Sequence, residues 1–124
     1  PRRKAQIKIL RPDLNTISVR GNIATRIKKL HDNHFDGLII AKAAMERLNL
    51  SFENTYEFSY QEMLPAASQG FIGIECISSN KDLIKMLGSI SSEKDMVLAE
   101  AERSFVAQLN GSCLSPIAIY CREE

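Results

Sequence analysis

A strand that becomes a helix within two residues constrains this chain more than any other feature. In Ile17-Ser18-Val19-Arg20-Gly21-Asn22-Ile23-Ala24-Thr25-Arg26, Ile17 and Val19 alternate with polar neighbours, Gly21-Asn22 turns the chain, and Ile23, Ile27 and Leu30 then recur at helical spacing. Asn22 suits an N-cap, so the first-turn N–H groups of the helix face the mouth of the turn, between Arg20 and Arg26. Such a turn can hold an anion, and Arg at both positions favours a planar carboxylate or phosphate. Solvated arginines, or arginines paired with local Asp and Glu, are the competing reading at this point. The apolar run Gly37-Leu38-Ile39-Ile40-Ala41 follows, of the kind that makes a parallel strand covered on both faces. Strand, helix and strand together predict a βαβ unit and an α/β fold.

Around that unit, residues 2–10 read as a basic helix with Ala5, Ile9 and Leu10 roughly on one side, ended by Pro12-Asp13. Arg2 and Arg3 at its start oppose the helix dipole, a local cost that a bound anion would offset. Residues 43–48 form a short helix carrying Arg47, which is either a third anion ligand or a surface charge. Phe52, Tyr56, Phe58 and Tyr60 alternate as in a strand or crossing loop. Leu64-Pro65-Ala66-Ala67-Ser68-Gln69-Gly70 is the best linker. Residues 71–77 predict a strand with Ile72, Ile74 and Cys76 on one face. Ser79-Asn80 caps a helix over 81–87 closed by Gly88. Ser92 with Asp95 resembles a capping box for the longest helix, about 93–109, with the core line Leu98, Ala101, Phe105 and Leu109. A last strand covers 117–121.

The chain's 124 residues carry 16 Lys+Arg against 15 Asp+Glu, so no global field draws it to nucleic acid, and any basic site is local. No apolar run is long enough to span a bilayer and no charged-then-apolar leader opens the chain, so the expectation is a soluble cytoplasmic protein with no nucleic-acid or membrane partner. Cys76, Cys113 and Cys121 are odd in number and too widely spaced for a zinc knuckle, which favours reduced thiols and predicts no metal site. Cys113 lies on the small-residue loop Asn110-Gly111-Ser112-Cys113-Leu114-Ser115-Pro116, between a helix and a strand, and is the reactive candidate. The chain opens on Pro1-Arg2-Arg3 within a predicted helix and stops just after a strand, as a piece of a longer protein would.

Arg2-Arg3-Lys4-Ala5-Gln6, Arg11-Pro12-Asp13-Leu14, Val19-Arg20-Gly21-Asn22 with Thr25-Arg26, Arg47-Leu48, Leu64-Pro65-Ala66, Gln69-Gly70, Gly73-Ile74-Glu75-Cys76, Ala101-Glu102-Arg103, and Cys113 before Pro116-Ile117 together resemble the porphobilinogen deaminase (hydroxymethylbilane synthase) family, in family order and spacing. The resemblance implies three α/β domains, the first two like periplasmic binding proteins. Residues 1–66 would be most of domain two, 67–90 the hinge and a returning segment of domain one, and 91–124 the start of an α+β domain three.

By the same resemblance, the complete protein is a transferase of tetrapyrrole (haem) biosynthesis. It condenses four porphobilinogen molecules head to tail to hydroxymethylbilane, releasing ammonia, on a dipyrromethane cofactor held by a thioether to Cys113. Arg2, Arg3, Arg20 and Arg26 match the family's cofactor-binding positions, and Arg20, Arg26 and Arg47 its substrate-binding positions. The catalytic aspartate lies in a part of domain one outside this chain, so no catalytic residue is assigned here and the chain alone is expected to be inactive. The complete enzyme is expected to be monomeric. Gly111-Ser112 stands where the family usually has Gly-Gly, so any need for positive φ at the second position falls on Ser. Ser68 replaces a hinge Gly, and Pro1 a Leu. A noncatalytic α/β carboxylate- or phosphate-binding module is the alternative from a different class.

Overall fold

The computed structural model describes residues 1–32, 34–112 and 114–123. Among them are five helices: α1 (Arg2–Leu10), α2 (Ile23–His31), α3 (Lys42–Arg47), α4 (Lys81–Ser89) and α5 (Glu93–Gln108). The chain divides into two compact units, Pro1–Met63 and Leu64–Glu124.

Helix starts follow local chemistry. The Asn22 side chain accepts from the Thr25 N–H at 2.8 Å, Asn80 from the Leu83 N–H at 3.1 Å and Ser92 Oγ from the Asp95 N–H at 3.2 Å. Each bond satisfies one donor that a helix leaves open at its first turn. The end of α4 departs from expectation, since Gly88 lies within the helix instead of closing it.

The predicted strands 17–19, 37–41, 71–77 and 117–121 are not formed as strands among the described residues. A strand exists only within a ladder, and apolar alternation cannot supply a partner edge. A long-range backbone bond joins two non-helical segments of the second unit, from the Ile119 N–H to the Pro65 carbonyl at 3.1 Å. The architecture of the described residues is therefore helices joined by non-helical segments, without the sheet of the expected α/β fold.

The missing ladder shows in the surface. The chain exposes 10193 Å². A compact chain of its mass would expose about 6,700 Å², and two separate compact units of half that mass about 8,000 Å² together. The predicted core lines are correspondingly open. In α1 the buried residue is Ile7, with Ala5, Ile9 and Leu10 exposed, and in the second unit Ile72 is 70% and Phe105 46% exposed. Ala101 and Leu109 are also exposed, and Glu102, off the predicted line of α5, is the buried residue at 4%. The apolar stripe of α5 is half-buried at Leu98 and open at Ala101 and Phe105, whereas the Glu102 carboxylate is enclosed by the backbone it binds.

The stop after α1 is held by an ion pair. Arg11 Nε and Nη2 donate to Asp13 Oδ1 and Oδ2 at 2.8 and 2.6 Å, and this bonding lowers the Asp13 carboxyl from 3.8 to about 2. The folded-state pKa is depressed, so the pair's contribution is fully present above the ordinary value and lost as pH falls through about 2. A carboxyl NMR titration of Asp13 is expected to give a midpoint near 2; an ordinary midpoint would show that the pair does not persist in solution.

Candidate functional site

The expected arginines lie in the first unit, and three of them come together. Arg2 and Arg3 occupy the first turn of α1, both half-buried, and Arg3 Nη1 donates to the Ile39 carbonyl at 3.1 Å. That bond ties the start of α1 to the apolar segment 37–41. Burial lowers the Arg3 pKa, and the positive charges of Arg2 and Arg26 lower it further. Burial lowers that of Arg2 as well. Arg26, on the first turn of α2, is close enough for its charge to be felt by Arg3 although the two are 23 positions apart.

The turn is built around its carbonyls. Arg26 Nε donates to the Gly21 carbonyl at 2.6 Å and Lys29 Nζ reaches the Arg20 carbonyl at 3.4 Å. Gly21 is required twice over. Its φ is +116°, and a Cβ there would stand 2.9 Å from Thr25 Cγ2, the side chain of the N–H that Asn22 caps. Lys29 was not singled out by the sequence pattern, because its role depends on the turn folding back beneath α2.

Neither Arg3 nor Arg26 forms an ion pair with a carboxylate among the described residues. Half-buried guanidinium groups that repel one another concentrate positive charge at this end of α1. Arg20 is exposed on the same turn, and Arg47 is exposed at the last residue of α3. The charges of Arg2 and Arg26 both act on Arg3, which joins these three.

Cys113 lies outside the described residues. Cys76 and Cys121 are free and half-buried, but the strand face on which Cys76 was expected to pack is open, with Ile72 and Ile74 exposed. Before the loop, left-handed backbone falls on Asn110 (φ 51°) and not on Ser112. Gly111 is needed for space, since a Cβ there would come within 2.4 Å of Ile117 Cδ1 and 2.9 Å of Val106 Cγ1. A cavity of about 420 Å³ in the second unit, lined by Phe71, Lys94, Leu98, Glu102 and Tyr120, contains none of the expected arginines. No cluster of metal-ligating residues occurs among the described residues, and no helix there is long and apolar enough to cross a membrane.

The fold and site thus define a helical chain with a cluster of arginines at the start of its first helix. A family model described as porphobilinogen deaminase, dipyromethane cofactor binding domain, matches residues 1–85. The chain is 48% identical over 120 residues to a Campylobacter hominis protein named porphobilinogen deaminase, covering 95% of this chain and 39% of that protein. A Campylobacter jejuni protein of the same name is 47% identical over 120 residues with the same coverage. One from Clostridium acetobutylicum is 44% identical over 121 residues, covering 96% of this chain and 40% of that protein. The chain belongs to the porphobilinogen deaminase family. It spans about two fifths of the length of the relatives it matches.

Proposed function

We propose that this chain is the arginine-bearing and cofactor-attaching part of a porphobilinogen deaminase, the transferase that builds hydroxymethylbilane from four porphobilinogen molecules with release of ammonia. The observation that carries the reading is the gathering of Arg2, Arg3 and Arg26, whose positive charges act on one another at the half-buried start of α1. A dipyrromethane fits there, because each pyrrole brings an acetate and a propionate and the cluster offers several guanidinium forks. When bound, the group supplies the primer that the pyrrole units extend.

In this reading Arg2, Arg3, Arg20 and Arg26 hold the cofactor's carboxylates, and Arg20, Arg26 and Arg47 those of the substrate. Half-burial of Arg2 and Arg3 excludes water from part of the site and strengthens each charge-assisted bond. Cys113 attaches the cofactor through a thioether, which cellular reductants do not cleave. Domain assignments of 1–66 to domain two, 67–90 to the returning segment of domain one and 91–124 to domain three are consistent with a division of the chain near residue 64. In this reading the apolar segments 17–19, 37–41, 71–77 and 117–121 become strands only when the rest of the full-length protein supplies their ladder partners. That protein is read as a monomeric cytoplasmic enzyme.

The test is turnover by the purified full-length protein. Hydroxymethylbilane and ammonia should form from porphobilinogen, and Cys113→Ala should abolish both. A full-length protein that binds dicarboxylates but makes no product would be a noncatalytic anion-binding module instead.

A further inference from the structure

Residues 64–70 have the composition of a flexible connector, with a Pro, a Gly and small residues. Their bonding is that of a fixed segment. Glu102, in the middle of α5, is 4% exposed, and its two carboxylate oxygens are divided between two distant pieces of backbone. Oε2 accepts from the Ser68 N–H at 2.6 Å and Oε1 from the Cys121 N–H at 2.8 Å. The Ile119 N–H closes the arrangement by donating to the Pro65 carbonyl at 3.1 Å. Ser68 Oγ also lies 3.5 Å from the Ala99 carbonyl, one turn before Glu102 on α5.

Ser68 adopts φ +55°, a conformation that a side chain disfavours and that a surrounding structure must impose. Its short bond to a buried carboxylate helps to impose it, alongside the turn bonds from the Gln69 N–H to the Ala66 carbonyl and from the Phe71 N–H to the Ser68 carbonyl. We infer that Glu102 is a pin: it fixes residues 65–70 and the segment around Cys121 to α5, so that the supposed linker moves as part of the second unit and any flexing of the chain occurs before Pro65. Glu102 is thereby a positioning residue, distinct from the arginines that face the anion, and this inference stands whether or not the proposed function is correct.

Amide hydrogen exchange on this 124-residue chain, read residue by residue by NMR, tests the pin. In the unsubstituted chain the Ser68 and Cys121 amides should be protected. Glu102→Gln keeps the size but presents one accepting oxygen and one NH₂ group, so one of the two amides should exchange at least about tenfold faster while the other keeps its partner. Glu102→Ala should release both. The Leu109 amide, at the C-cap of α5, and the Thr25 amide of the first unit serve as internal references and should not change. Ser68→Gly retains the N–H and accommodates φ +55°, so it should preserve protection at both positions. Unprotected Ser68 and Cys121 amides in the unsubstituted chain, unchanged exchange in Glu102→Ala, or equal acceleration throughout α5 would each overturn the inference.

Discussion

Replacing Arg20 or Arg26 by Ala in the full-length protein is expected to lower kcat/KM roughly ten- to a hundredfold. A buried carboxylate that loses a charge-assisted partner forfeits about 1.5 to 3 kcal/mol. The two variants should differ in stability, and that difference is informative. The Arg20 side chain is exposed, and the Arg20 bond to Lys29 uses only the backbone carbonyl, so Arg20→Ala should leave Tm essentially unchanged. Arg26 also holds the Gly21 carbonyl, so Arg26→Ala should additionally cost a few degrees. Lys at position 26 restores the charge but not the fork and should rescue turnover only partly. Unchanged kinetics with a large fall in Tm would assign both arginines to structure.

The second large effect is an absence of activity. The 124-residue chain by itself should make no detectable hydroxymethylbilane, although it carries the arginine cluster. Guanidinium groups can hold and orient a polycarboxylate, but loss of ammonia needs an acid or base positioned at the reacting carbon. Among the described residues no carboxylate acts on Arg3 at the centre of the cluster. The chain spans about two fifths of its relatives, and the resemblance puts the catalytic aspartate in the remainder. Product formation by the purified chain would overturn this division of labour.

Local features were legible from residues alone. Asn22, Asn80 and Ser92 announce helix starts because a capping side chain bonds an N–H three residues away, and the structure places all three bonds. Gly21 marks a turn that only glycine fits. Nonlocal features were not legible in this way. The apolar segments 17–19, 37–41, 71–77 and 117–121 carry strand-like patterns, but a pattern does not provide a ladder partner. The stripe of α5 misled for the same reason: helical periodicity says which residues share a face, not what covers that face.

Glu102 was hidden among the charged residues of a helix, and the fact that it binds Ser68 and Cys121 follows only from three segments meeting. The departure at Ser68 did carry a signal, since a family glycine there agrees with the observed φ of +55°. The arginine cluster is intermediate. Arg20 and Arg26 follow from the residue pattern around the turn, whereas the approach of Arg3 to Arg26 depends on the fold.

The central claim is that this chain contributes the attachment point and carboxylate ligands of a covalently primed transferase. Intact-mass analysis of the full-length protein, produced in cells that make porphobilinogen, tests it most directly. The account predicts one adduct of two pyrrole units, abolished by Cys113→Ala and retained in Cys76→Ala and Cys121→Ala. Turnover of porphobilinogen by a protein that carries no pyrrole adduct, or an adduct that survives Cys113→Ala, would contradict it.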